Sequence, residues 1–309
     1  MDRGSMTRFS QHPLGGGMYL ASSPDGISTG GSAVSIWWRG IIEPGTGFGK
    51  PNIRKNRGIG MGRKKVELTK VTRPRLHSAY QRTELHTLMD ELGATPLIMI
   101  NSKPGSGKST LVSTYIESRG IPCLWYQVDQ NDQDLARFFY YLGIAALRVD
   151  PSSKVALPQV SPERVFRIPS LAKEYFQKLF QWFEAPFMMV FDNYQELPRD
   201  AVLHDVMAEA CAALPPGGRI VLINNCDCRA NVPKPRTGFP IATLGCEDLQ
   251  LSPKEVKAIA ALHGIKLPSD HAARQLQAKV GGWVAGLVHE LEILRNKLLS
   301  PEEMPTTTI

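Results

Sequence analysis

Between residues 96 and 244 the chain alternates short apolar runs with amphipathic stretches. Pro96 to Ile100 is a wholly apolar run, and Ile121 to Val128, Phe187 to Phe191 and Arg219 to Ile223 are three more short runs that are mostly apolar. Runs this short without polar alternation predict parallel strands buried on both faces. A shorter piece, Ile241 to Leu244, is a candidate fifth strand. The stretches between them carry helical periodicity. Lys108 to Arg119 reads as a helix, Asp134 to Arg148 as one with a broad apolar face, and Leu171 to Glu184 as amphipathic. Ala201 to Leu214 is a further helix, stopped by Pro215-Pro216-Gly217-Gly218. Pro151 to Pro169 reads as a Pro- and Ser-containing loop.

Beyond residue 248 the pattern is helical only. Ser252-Pro253-Lys254-Glu255 is a helix start: the Ser oxygen caps backbone N–H groups, Pro fits the first turn, and Glu reaches back. Helices over Pro253 to Leu262, Asp270 to Val280 and Trp283 to Leu299 predict a small helical subdomain. The expected fold is α/β: a mostly parallel sheet flanked by helices, then that subdomain. The expected organisation is an α/β domain over 66–248, the helical subdomain over 249–300 and a tail over 301–309.

Residues 1–65 differ from the rest. They hold 14 of the 27 glycines and no sustained periodicity. They read either as a disordered basic arm or as sequence upstream of a mis-assigned start, since Met61 is followed by Gly62-Arg63-Lys64-Lys65 and then by orderly sequence. Charge follows the same division. Residues 1–75 hold 13 Lys or Arg against 4 Asp or Glu, whereas 76–309 hold 23 against 25, so the net +7 belongs to the first segment. A nucleic-acid-binding basic patch is therefore not expected on the folded body. The beginning of the chain lacks the order of a signal peptide, and no run of about 18 apolar residues occurs. The expectation is a cytoplasmic protein without a membrane span. The five cysteines include one close pair, Cys226 and Cys228, without a matching second pair, so reduced thiols are expected rather than a metal site.

The chemistry concentrates in Ser102-Lys103-Pro104-Gly105-Ser106-Gly107-Lys108-Ser109-Thr110, between the first strand and the first helix. Small residues let backbone N–H groups wrap phosphate oxygens, Lys108 brings a positive charge to the β and γ phosphates, and Ser109 offers a hydroxyl to Mg²⁺. The usual pattern is G-x-x-x-x-G-K-[ST], and Ser102 stands at its first Gly; the motif makes the expected fold a P-loop NTPase, with 66–248 as its nucleotide-binding domain. The run Phe187 to Phe191 ends in Asp192, the arrangement in which a carboxylate holds Mg²⁺ directly or through water. Many ATPases carry a second acid at the next position. Here it is Asn193, which does not take a proton at neutral pH.

From about Thr72 to Leu294 the sequence resembles the nucleotide-binding module of the MalT-like branch of LuxR-type transcription regulators, which are STAND-class signalling ATPases. The segments that carry the resemblance occur in order. They are Val71-Thr72-Arg73-Pro74-Arg75-Leu76, the P-loop, and Trp125 to Asp129 with Asn131-Asp132 and Phe138 to Leu142. Then come Asp192-Asn193-Tyr194-Gln195, Leu214-Pro215-Pro216, Glu247-Asp248-Leu249 and Gly282-Trp283-Val284-Ala285-Gly286-Leu287. The resemblance implies an ATP-bound active state, often self-associating, reset by slow hydrolysis to ADP. It implies that Arg73 and Arg75, with the Gly282 to Leu287 segment, flank the base. Trp283 also reads as a core aromatic. The family's Ser-Arg pair after the fourth strand is replaced by Asn224-Asn225, a loss that, like Asn193, acts on hydrolysis more than on binding. The family's winged-helix, sensor and DNA-binding regions have no counterpart in this sequence.

The function expected is thus an ATP-binding signalling switch using ATP and Mg²⁺, at most a slow ATPase. Lys108 and Asp192 are its catalytic candidates, and Ser109 and Asp192 its metal ligands. ATP/ADP, a second copy or a full-length regulator are the expected partners. The alternatives are an interaction partner that biases a full-length regulator, a P-loop small-molecule kinase, and nucleic-acid binding through the basic arm.

Overall fold

The computed structural model describes residues 69–76, 79–160, 167–225, 238 and 240–299. The expected basic arm and the 301–309 tail lie outside them.

Five strands form one parallel sheet: β1 (Leu97–Ser102), β2 (Cys123–Gln127), β3 (Phe187–Asp192), β4 (Gly218–Asn225) and β5 (Ile241–Leu244), in the order β2-β3-β4-β1-β5. β3 is buried along its whole length, which is why its sequence is an uninterrupted apolar run. The period-two alternation still sorts side chains between faces. Met99, Tyr126, Met189, Phe191 and Leu222 enter one core, and Ile98, Ile100, Trp125, Val190 and Val221 the other.

The first core is covered by α3 (Leu135–Val149), α4 (Ile168–Leu179) and α5 (Leu203–Ala213), and the second by α1 (Thr83–Glu91) and α2 (Lys108–Arg119). α3 starts one residue later than expected because Asp134 is its cap, accepting from the Ala136 and Arg137 N–H groups. α4 begins at Ile168, inside the expected loop, and ends at Leu179, where Phe180–Trp182 tightens into a 3₁₀ turn. α1 was not among the predicted elements. It is short, its N-cap Arg82 makes no side-chain capping bond, and its buried face is Leu85, His86 and Met89. His86 sits in that face because Thr114 and Ser118 on α2 meet its two ring nitrogens.

Three further helices, α6 (Pro253–Leu262), α7 (Asp270–Val280) and α8 (Val284–Leu299), follow β5. α6 opens with the expected reciprocal cap between Ser252 and Glu255. Their shared core holds Leu251, Val256, Ile259, Ile265, Leu287 and Leu291. This core is tied to the segment before α1 by Arg82, which bonds Glu255 (2.7 and 3.2 Å) and the carbonyls of Leu249 and Gln250. No described helix is long and apolar enough to cross a membrane.

The expectation of reduced thiols is corrected at Cys246, which is disulfide-bonded. Cys123 and Cys211 are free, and burial pushes both thiols up to about 12.

Candidate nucleotide site

β1 delivers the chain to the loop and α2 takes it away. Ser102 is the last residue of β1, paired in register with Asn225 of β4. It is a strand residue, so the position has no need of the first glycine of the usual pattern. The two glycines that remain are required. Gly105 has φ 77° and Gly107 φ 85°, a left-handed region costly for other residues. Gly107 is also the N-cap of α2 and supplies no capping side chain, so no side chain blocks the first N–H groups of the helix from an anion.

Lys108 is 3 % exposed. Its ammonium donates to the Ser102 and Lys103 carbonyls (2.9 and 2.8 Å) and to Ser106 Oγ (3.3 Å). It is thereby held in the throat of the loop. Ser109 Oγ donates to Asp192 Oδ2 at 2.8 Å. Asp192 is 6 % exposed, and its Oδ1 accepts the Asn193 N–H. Burial pushes this carboxyl above the ordinary aspartate range, and the bonds from Ser109 and Asn193 with the Lys108 charge offset only part of that. The structure therefore brings together Ser102, the Pro104 to Thr110 loop and helix start, and Asp192.

Arg73 and Arg75, the residues expected beside the base, stand on either side of Pro74. Lys70 bonds the Gln127 carbonyl at the end of β2, and the Pro74 carbonyl accepts from Ser113 of α2. The segment between them runs around the β2 edge, with Arg73 half-buried and Arg75 exposed.

Trp283 is 45 % exposed, which excludes the core-aromatic reading. Its indole N–H donates to the Pro104 carbonyl (3.0 Å), and the Ala285 N–H donates to the Gly105 carbonyl (2.9 Å). The start of α8 is thus docked on the phosphate loop, so closely that a Cβ at Gly105 would stand 2.7 Å from the Ala285 methyl. Gly105→Ala should cost about 1–3 kcal/mol through strain and clash. It should also alter Trp283 emission. Urea unfolding and tryptophan fluorescence against a Trp283→Phe control check both.

β4 lies between β1 and β3, so its end stands beside both halves of the site. There Asn225 donates its backbone N–H to Gln195 Oε1 (2.8 Å) and its side-chain amide to Asn193 Oδ1 (3.0 Å). Asn224 bonds Asn101 across the strands. The turn after β3 is braced from behind. Tyr194 is buried, and its hydroxyl donates to His204 Nδ1 while His204 Nε2–H donates to the Pro198 carbonyl. A cleft of about 400 Å³ opens on this side, lined by Lys70, Gln127, Asp129, Asn193, Gln195, Glu196 and Asn225 among others. The sequence reading assigned no role to Gln195 or Glu196. They lie 30 residues before their β4 neighbour, and no local spacing marks the contact.

Comparison with known proteins agrees with the motifs. An HTH-type transcriptional regulator MalT from Vibrio cholerae serotype O1 is 29% identical over 142 residues, covering 45% of this chain and 15% of the relative. Another from Vibrio campbellii is 24% identical over 222 residues, 71% of this chain and 24% of the relative. The chain is similar to MalT-type regulators. It spans no more than 24% of the length of these two relatives, so the likeness concerns a module of MalT and not the whole regulator. No family model matches the chain. Among solved structures, a Walker-type ATPase of Pyrococcus abyssi is 17% identical with a TM-score of 0.44, covering 71% of this chain and 69% of its own. The RuvB Holliday junction branch migration motor of Thermotoga maritima is 14% identical with a TM-score of 0.40, covering 74% and 66%. At those scores neither adds to the sheet topology and loop geometry, which establish the P-loop NTPase fold by themselves.

Proposed function

We propose that this chain is an ATP-binding switch module of a MalT-like regulator, binding ATP with Mg²⁺ and hydrolysing it slowly. The observation that carries the proposal is the Ser109–Asp192 contact at 2.8 Å, at the foot of a helix whose N-terminus has no side-chain cap. Adjacent ligands of an octahedral Mg²⁺ at about 2.0–2.1 Å stand roughly 2.9 Å apart, so the two oxygens fit that ion as a pair. When bound, Mg²⁺ would neutralise charge on the β and γ phosphates. Lys108 exchanges a loop carbonyl for a phosphate oxygen, and the loop N–H groups orient the triphosphate.

Arg73 and Arg75, on the β2 edge, are proposed to reach the base only from the side. Coupling to the rest of a regulator runs through α8. Any change in the Pro104–Gly105 backbone on nucleotide entry acts on Trp283 and Ala285 directly. The domain division at about residue 248 follows the change from sheet to the separate helical core.

Thermal denaturation with ATP or ADP, with and without Mg²⁺, tests the reading. A ligand at about a thousandfold excess over its dissociation constant stabilises the native state by roughly 4 kcal/mol, on the order of 10 °C for a domain of this size. Absence of a shift with either nucleotide sinks the proposal.

Asp192 adds a pH signature. Its folded value is raised, so its contribution to stability is present below the unfolded value of 3.8 and is lost as pH rises through the folded value. At neutral pH the buried charge is a burden that Mg²⁺ relieves. Asp192→Asn should therefore melt no lower than wild type without ligand, and should lose the Mg²⁺-dependent part of the ATP shift. In the wild type that part should fade on acidification before an ordinary carboxylate would protonate.

A further inference from the structure

The hydrolytic machinery lacks an acid where one is expected. Asn193 follows Asp192, and its carboxamide is engaged by Asn225. Among the described residues Asn193 is the one non-glycine with positive φ, at 61°. That left-handed residue turns the chain at the end of β3 into the short 3₁₀ turn Tyr194–Glu196, closed by the Glu196 N–H on the Asn193 carbonyl (3.0 Å). Strain of this kind at a strand end persists where the surroundings over-determine it. Here the surroundings are the Tyr194–His204 brace and the Asn225 amide.

The turn places Glu196 on the wall of the 400 Å³ cleft together with Asn193, Gln195 and Asn225. Asn225 is the strand partner of Ser102, from which the phosphate loop starts, and Asn193 is bonded to Asp192. The cleft therefore opens beside the end of the site where a terminal phosphate would lie.

Asp129 is the other carboxylate among the residues that line the cleft. It is committed: it accepts from Lys70 at 2.6 Å, from Arg137 at 3.4 Å and from the Asn131 N–H. Burial alone would raise its pKa, but Lys70 outweighs this and holds the carboxyl below the usual range. Lys70 also pairs with Asp132 at 2.9 Å, so this cation is spent on the β2 side. Among the described residues Glu196 meets only amides, Gln130 at 3.3 Å and Gln195 at 3.4 Å, both long contacts. It is half-buried and faces the cleft.

We propose that Glu196 is the general base for ATP hydrolysis in this chain, replacing the acid absent at position 193, with Asn193, Gln195 and Asn225 orienting the attacking water. The inference rests on the ATP-binding reading above. The water oxygen forms a bond to the γ-phosphorus as the bond to the β–γ bridging oxygen breaks. The water proton passes to the Glu196 carboxylate, and the bridging electron pair leaves with ADP. Glu196 then returns the proton to phosphate or solvent. The amides that surround Glu196 supply no charge of their own, which fits a slow reaction.

Glu196→Gln keeps the shape and one of the two accepted hydrogen bonds and removes the proton acceptor. Single-turnover hydrolysis of labelled ATP should fall by about 100-fold or more, the lower end of what a general base contributes. The melting shifts with ATP·Mg²⁺ and ADP·Mg²⁺ should remain those of the wild type. ADP with aluminium fluoride, a mimic of the transferring phosphoryl group and its aligned water, should stabilise the wild type beyond ADP alone, and the variant should lose that increment. Hydrolysis by Glu196→Gln within threefold of wild type overturns the proposal, as does a wild type that binds ATP and does not hydrolyse it at all. A wild type with no ATP shift overturns the binding reading instead, so the two failures are distinguishable.

Discussion

Lys108→Ala should abolish the nucleotide-dependent rise in melting temperature, a loss of about 10 °C under conditions where the wild type is saturated. The reason is that Lys108 is placed by the fold before any ligand arrives. Lys108 is 3 % exposed, and its ammonium is already turned into the loop, where Ser102, Lys103 and Ser106 hold it. A triphosphate entering the loop meets that charge without a further rearrangement of the backbone. In the alanine variant the uncapped N–H groups of α2 remain, but the β and γ phosphates lose their buried counter-charge. The variant should also be less stable without ligand, by about 1–3 kcal/mol, since two loop carbonyls lose a donor. Each shift must therefore be read against the variant's own ligand-free baseline. A Lys108→Ala protein whose ATP shift equals that of the wild type would remove the phosphate loop from the mechanism.

Arg82→Ala should be the most damaging single change outside the loop, costing about 3–5 kcal/mol, or on the order of 10 °C. Arg82 and Glu255 are both 7 % exposed, and the guanidinium also satisfies the carbonyls of Leu249 and Gln250. Removing it strands Glu255 in the interior with only the Ser252 cap as a partner. Replacing both charges with apolar side chains of similar size should recover most of the loss, because neither charge is then buried alone.

The pair also has a pH signature. Burial by itself would raise the Glu255 pKa, but the bonds from Arg82 and Ser252 outweigh it, and the folded value lies below the ordinary 4.5. The stability from this group is present above 4.5 and is lost as pH falls through the depressed folded value. Urea unfolding at about pH 6 and about pH 3 should show the wild type losing this contribution on the acid side. Arg82→Ala has much less of it to lose. Because Arg82 anchors the helical core whose last helix is docked on Gly105, the variant should also weaken nucleotide binding without touching a phosphate contact.

Much of the phosphate site was legible in the residues. The apolar run ending at Ser102, the Gly105 and Gly107 turns and the Lys108 helix start are adjacent in sequence, and local sterics dictate their conformation. Asp192 was legible as well, because a buried parallel strand announces itself as an apolar run and its first acid marks the end. The Ser252–Glu255 cap was readable for the same reason, being a contact over three residues. α1 was not, since its buried face includes His86, a polar residue made acceptable only by hydroxyls on another helix. Trp283 read more readily as core than as site, and its exposure and its place over Pro104 decided against the core.

By itself, then, the sequence determined the class of the fold, the phosphate loop and the carboxylate at the end of the third strand, because each depends on contacts within a few residues. Only the tertiary structure decided what surrounds them. Placing β4 between β1 and β3 is what sets Asn225 against Asn193 and Gln195 and opens the cleft beside Glu196. Packing the helical core against the phosphate loop and the segment before α1 is what gives Arg82 a partner 173 residues away and seats Ala285 on Gly105. Such contacts follow from strand order and burial, and no local periodicity of side chains encodes either.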